Sequence, residues 1–393
     1  MNRFPLALTL ALALTLTASQ ACAWSNHSLP TYRALERMPE VVEAPAVTVE
    51  PLEAFLKAEE SAIEALLASQ ETWAAANLDP YPARPRALAF VADPKRSDQA
   101  RRLAFLKALR VAPDSKFALY LQPDPWRSVA GTPLAYSAIN TLPEQPNSDH
   151  RFIRLEAGQQ VAPLAVIASA ADEPDYGLDI NLWQDSPSAW GKEYGFDTQP
   201  FGNPALYFST QAPFHMGFFH ENRILYLAAP FIKRTFPLLR SHQYASLAAL
   251  AFRSGHAYWG WRFAGLSLHY LQDLTQPYHA SLAPGNSTPK LLGINLLAMM
   301  GMSGQKNDMI VLLSNRHLAL EKYQHESMHE AALKQRPTAL EQALQDTGKD
   351  RTYPAWSDRY VRDVVSAQSY LAGPQLTETV VATLPVQYVS DPG

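Results

Sequence analysis

"LHYLQDLTQPYH", residues 268–279, places His269 and Asp273 four residues apart, then a proline at 277 and a histidine at 279. Side chains at i and i+4 project from one face of a helix, so His269 and Asp273 can reach a common ion. Pro277 ends the helix and sets His279 on the following turn. Three nitrogen and oxygen ligands therefore converge within one segment. Imidazole and carboxylate are the groups zinc accepts where no thiolate is available, and three protein ligands leave a coordination position for water. Taken alone, the segment reads equally well as a helix C-terminus whose histidines are favoured by the helix dipole.

A second pair shifts that balance. "RHLALEKY", residues 316–323, puts His317 and Glu321 four apart on a later helix. By itself such a pair reads as a solvated helix face, but together the two helices offer five ligands. His325 and His329 continue the later helix in a drifting direction and read as surface residues, with support of the ligands from behind as the alternative.

The rest of the chain restricts what such a site can be. The 393 residues are 47% hydrophobic, enough for one large domain with insertions or for two domains. The single cysteine, Cys22, lies in the segment Ala21-Cys22-Ala23, behind Arg3 and the apolar run Phe4 to Thr17. That order reads as a signal peptide, residues 1–23, cleaved before Trp24, and implies a secreted or periplasmic protein. A lipoprotein needs an aliphatic residue where Ser19 stands, and the apolar run is short for a retained membrane anchor. Without Cys22 the mature chain has no thiolate, so any metal must be held by His, Asp, Glu or backbone groups. The formal charge is −4 and no long basic block exists, which argues against an electrostatically driven nucleic-acid binder but not against an enzyme that cleaves nucleic acid.

Along the chain, residues 39–51 (PEVVEAPAVTVEP) read as an extended linker. Helices are expected at 52–76 and 96–109, and short β-prone pieces (FALYLQ, RFIRLE, PLAVIA) between 117 and 171. Residues 39–165 thus read as a separate layer. Residues 172–214 read as a long irregular connection, of the kind that is often functional. Helices follow at 220–234, at 241–274 with possible breaks at its glycines, and at 309–334.

The motif H-x3-D-x5-H at His269, Asp273 and His279, followed by H-x3-E at His317 and Glu321 and preceded by Trp24, resembles the zinc-dependent phospholipases C and the S1/P1-type nucleases. The resemblance covers the C-terminal half and the first mature residues. It implies a mainly α fold around three zinc ions, with residues 24–38 and 166–393 forming the helical core and residues 39–165 an insertion or added domain. It further implies that the amine and carbonyl of Trp24, with His27, bind one zinc, that Asp175, His215 and His269 bind a second, and that Asp273 bridges these two. His279, His317 and Glu321 would hold the third. Asp179 is the alternative to Asp175, and His220 the alternative to His215.

The expected reaction is phosphodiester hydrolysis by zinc-activated water, with Asp175 orienting that water or accepting its proton. Asp175-Tyr176 resembles the phospholipase branch, whose tyrosine lines a choline pocket; Tyr176, Phe214 and Phe218 are the expected substrate contacts. Those aromatics, with Phe219, suit nucleobase stacking too, so a single-strand nuclease is the alternative, and an exported protein with purely structural zinc a third. The stretch between His279 and His317 is longer than the family needs. Its Leu/Met-rich part, residues 291–302, is too short to span a bilayer but suited either to touching a phospholipid surface or to packing as a buried hairpin. No protein partner is implied. If the free amine of Trp24 is a ligand, a mature chain carrying one extra residue before Trp24 will hold about one zinc fewer by elemental analysis; an unchanged metal content would reduce Ala21-Cys22-Ala23-Trp24 to an ordinary cleavage site.

Overall fold

The computed structural model describes residues 26–127, 129–144 and 150–392; the expected signal peptide and Trp24 lie outside them. The mainly α expectation holds, with 58% helix against 3% strand. At the centre, the helices Pro237–Arg253 and Ala257–Asp273 form an antiparallel pair. The chain reverses at Gly255, whose φ of +86° is the left-handed conformation that glycine adopts without a Cβ penalty.

The other glycines of this stretch, Gly260 and Gly265, do not break the second helix. Gly265 serves a close approach instead: a Cβ there would lie 2.4 Å from the carbonyl oxygen of Ile167. Ile167 belongs to the helix Pro163–Ala171, which packs across Ala257–Asp273. That helix corrects the β-prone reading of PLAVIA. A short apolar run does not distinguish strand from buried helix by periodicity, and Pro163 at the first position, with burial on nearly all sides, settles it as a helix. The N-terminal helix Ser28–Leu35 packs on it in turn.

Residues 39–165 form a layer whose larger core is shared with the central pair, beside a small cluster of Tyr120, Ile139 and Phe152 with Tyr176. Phe55, Leu67, Phe105 and Leu109 share a continuous buried cluster with Tyr244, Trp259, Phe263 and Tyr270 of the central pair. The supposed linker is partly structured: Val47–Thr48 pairs antiparallel with Gln160–Val161. The strands Tyr120–Leu121 and Pro133–Leu134 flank Phe152–Arg154. The expected helix at 220–234 is cut at Pro230 into the short helix Arg223–Ala228 and a 3-10 turn. Beyond the central pair come a one-turn helix, Pro277–Ala280, and a hairpin of Thr288–Met299 with the long helix Gly304–Lys334.

One buried ion pair ties the connection 172–214 to this scaffold. Glu173 accepts two short hydrogen bonds from Arg262 Nη2, at 2.7 and 2.9 Å, and a third from Nε at 3.1 Å. Both side chains are out of solvent. Glu173→Ala, which strands the guanidinium, is expected to destabilise the protein by about 3–5 kcal/mol in urea denaturation, and the double variant Glu173→Leu/Arg262→Met to recover most of that loss.

Candidate metal centre

Helix periodicity brings the main motif together as its spacing requires. His269 and Asp273 lie on the inward face of the last turns of Ala257–Asp273, both wholly buried, with Nε2 and Oδ2 3.4 Å apart. Pro277 begins the next one-turn helix, which carries His279. The long helix Gly304–Lys334 supplies His317 and Glu321. His27, at the start of the N-terminal helix, stacks on His269 with ring centroids 3.9 Å apart. Asp175 sits in the 3-10 turn Glu173–Tyr176, which ends at Gly177 with φ +105°.

These side chains form three buried groups in which one ligand atom from each residue lies within 4.8 Å of the others: His27, His269 and Asp273; Asp175, His215 and His269; His279, His317 and Glu321. His269 belongs to two groups. Asp273 touches all three, with Oδ1 3.7 Å from His27 Nε2 and from His279 Nδ1, and Oδ2 3.0 Å from His215 Nδ1. In the third group His279 Nε2 faces His317 Nε2 at 2.9 Å, and Glu321 Oε1 lies 2.5 Å from His317.

Backbone and side-chain acceptors orient the rings. Nδ1–H of His269 donates to Ala171 O at 2.7 Å, and Nδ1–H of His279 to His215 O at 2.8 Å, leaving each Nε2 turned into the site. His27 Nδ1 pairs with Gln272 Oε1 at 3.0 Å, which likewise leaves its Nε2 inward. The backbone N–H of His27 donates to Asp172 at 2.6 Å.

The residues fit metal ions on the chemistry of what remains unpaired. His27 Nε2, Asp175 Oδ1, both oxygens of Asp273 and both of Glu321 are buried without a well-formed hydrogen bond, although Asp273 Oδ2 and Glu321 Oε1 stand close to histidine nitrogens. Buried polar atoms are ordinarily paired, and several orphans converging at one place indicate a cation. Electrostatics agrees. Burial pushes the Asp175 carboxyl well above its ordinary range and that of Glu321 up to about 7. Burial holds the imidazoles of His279 and His317 down to about 4 and also lowers His27 and His269, so all four are neutral ligands near pH 7. His215 goes the other way: burial opposes its charge, but Asp273 and Asp179 outweigh it and raise it to about 10.

Two alternatives are separated by position. Asp175 faces the ligand cluster, whereas Asp179 stands behind His215, 3.4 Å from Nε2, and is held by Arg240 at 2.8 Å and the Tyr270 hydroxyl at 2.6 Å. His215 is in the cluster; His220 bonds instead to the carbonyl of Arg362. His215 lies at the end of a helix, Tyr207–His215, rather than in a loop.

Two expected substrate contacts are core residues. Tyr176 is buried, its hydroxyl 2.6 Å from Asp172 and 2.7 Å from Gln122, with its ring against Phe152. Phe214 is fully enclosed among Trp183, Phe196 and Phe236, because neighbouring helical residues point about 100° apart and His215 takes the inward direction. Phe218 does line a cleft. This cavity of about 170 Å³ is bordered by His215, His279 and His317 and walled by phenylalanine, leucine and isoleucine side chains. His325, expected at the surface, is buried: it follows His317 and Glu321 on the inward stripe.

The supporting residues Ala171, Asp172, Gln272 and Arg240 carry no motif; the density of acids in DEPDYGLD, residues 172–179, was the available signal. No protein-family model, curated protein or solved structure matches this chain. Titrating zinc into the metal-free protein should raise its stability, by about 4 kcal/mol for a site at a thousandfold excess over Kd. Asp273→Asn removes a charge from the centre. With each protein compared with its own metal-free form, the variant is expected to lose most of the zinc response; equal zinc shifts in the two proteins in differential scanning calorimetry would exclude Asp273 as the shared ligand.

Proposed function

We propose that this chain is an exported zinc-dependent phosphodiester hydrolase of the phospholipase C type, holding about three zinc ions. One observation carries the reading: three buried ligand groups, joined through His269 and Asp273, adjoin a largely apolar cleft. A structural zinc site is usually a closed set of four ligands, whereas each group here has three side chains. The N/O donor set, free of thiolate among the proposed ligands, suits zinc or a similar borderline cation.

Bound zinc supplies Lewis-acid stabilisation of charge on the phosphoryl oxygens and a water of lowered pKa. The chain's own residues do the rest. Asp273 and His269 hold the first two groups in fixed relation. Asp175, at 8% exposure the most accessible of the ligands among the described residues, accepts the proton as water adds to phosphorus, and the glycerol oxygen takes a proton from solvent as its ester bond breaks. The products are a diacylglycerol and a phosphorylated head group. His279 and His317, at the cleft wall, place the third group beside the scissile ester.

The four phenylalanines of the cleft, Phe201, Phe208, Phe218 and Phe231, favour a second reading as a single-strand nuclease, since bases stack on such rings. The mature protein should release diacylglycerol and phosphocholine from phosphatidylcholine, and a chelator should abolish the release. Asp175→Asn should lower kcat at least a hundredfold, about the lower end of what a general base contributes. Chelator-sensitive cleavage of single-stranded DNA with none of the lipid would replace this reading by the nuclease; cleavage of neither, with zinc bound, would leave a binding protein.

A further inference from the structure

The cleft does not end at the metal centre. Leu282, Ile310 and Leu313 line both the 170 Å³ cavity and a second one of about 80 Å³ that runs under the hairpin. The far cavity is walled by Leu225, Ala229, Leu291, Leu292 and Ile294 and by no aromatic ring. Aliphatic walls fit hydrocarbon and give a nucleobase nothing to stack on. A molecule that fills this groove while presenting a phosphodiester to His279 and His317 has an apolar chain attached close to the phosphate. A phospholipid has that form.

The outer surface of the same elements is apolar as well. Leu296, Met299, Met300 and Met302, around the turn of the hairpin, are each more than half exposed, at 57, 56, 60 and 53%. The turn contains Gly301 at φ +88°. Ile224 and Leu227, at 54 and 75%, stand on the helix Arg223–Ala228, which packs against the hairpin and lines the groove with its other face. The inward residues Leu291, Leu292 and Ile294 are the part of the 291–302 segment that packs as a hairpin; the part beyond them does not. The twelve-residue helix Thr288–Met299 is about 18 Å long, short of the hydrocarbon thickness of a bilayer. No helix among the described residues is long and apolar enough to cross a membrane.

We propose that the hairpin tip, with Ile224 and Leu227, docks on a phospholipid surface, and that the groove beneath it receives one acyl chain of the lipid whose phosphate enters the metal centre. The proposal rests on the phosphodiesterase reading for the centre itself. Continuity of the groove with the ligands His279 and His317 identifies the occupant: an unrelated helix or a second copy of this chain would fill the groove without delivering a phosphodiester. Flexible methionine and leucine side chains suit the disordered boundary of a bilayer. The hairpin thereby joins the surface that meets the membrane to the wall that guides the chain.

The test uses the zinc-loaded protein and vesicles of a phosphatidylcholine analogue whose glycerol-side phosphorus is bonded through carbon, which cannot be hydrolysed there. Wild type should co-sediment with these vesicles. The variant Leu296→Ser/Met299→Ser/Met300→Ser/Met302→Ser should bind at least tenfold more weakly, while its kcat/KM on monomeric dihexanoyl phosphatidylcholine stays within twofold. Undiminished binding by the variant, or no binding by wild type, overturns the docking edge. A concentration-dependent dimer that the variant abolishes, with vesicle binding unchanged, assigns the tip to a second copy instead. Ile310→Trp, at the junction of the cavities, should keep vesicle binding but lose the fall in KM that wild type shows as the acyl chains of monomeric lipids lengthen; a wild-type KM independent of chain length overturns the groove. Failure of the phosphodiesterase reading is seen separately, as no hydrolysis of any monomeric phosphodiester by either protein.

Discussion

Asp273 is fully buried, has neither carboxylate oxygen hydrogen-bonded, and is approached by histidines from all three ligand groups. A carboxylate taken out of water without a partner is among the most expensive things a fold can contain. Around it stand Asp175 and Glu321, both pushed toward the protonated state by burial. The helices that converge here do so against electrostatic resistance. Only compensating cations make the arrangement favourable: a protonated His215 supplies one, and metal ions would supply more. Loading and folding are then coupled, and binding an ion would release the protons that this environment holds on Asp175, Glu321 and His215.

The scaffold's part is to hold the ligands apart from the water and hydrogen bonds they would otherwise choose. The absence of a Cβ at Gly265 allows the helix Pro163–Ala171 to come close enough for the last carbonyl of that helix, at Ala171, to take the Nδ1 proton of His269. One missing methyl group thus bears on which nitrogen of His269 faces the cluster of candidate ligands. The Glu173–Arg262 pair does the same at the level of the chain, tying the turn that carries Asp175 to the helix that carries His269 and Asp273.

How much was legible follows from the kind of signal each residue carries. His269, Asp273, His279, His317 and Glu321 were readable because helical spacing and a proline fix their directions before any tertiary contact forms. His27, Asp175 and His215 were named only through the resemblance; each lies in a buried group with His269. Phe214 and Tyr176 misled because an aromatic next to a ligand is one helical step away from the site and points elsewhere. PLAVIA misled for lack of period, and His325 because its angular drift still falls inside a wide buried stripe. The supporting hydrogen bonds were not legible at all. Those that orient His27, His269 and His279 pair residues 64 to 245 positions apart, and no local pattern encodes such a partner.

The region 39–165 gains a role from one of those distant bonds. Arg240 is wholly buried; its Nη1 donates to the carbonyl of Leu109 at 2.7 Å and its Nη2 to that of Arg110 at 2.8 Å, both at the end of a helix belonging to this layer. The same guanidinium grips Asp179, and Asp179 backs His215. Gln122, also from the layer, donates to Asp172 at 3.0 Å, and Asp172 in turn fixes the backbone of His27. Two of the candidate ligands, His27 and His215, are therefore positioned through residues that share no motif with them. The layer shares the main core and reaches the candidate metal centre through two polar relays, so it acts as a brace for the centre, and its removal would loosen His27 and His215 together.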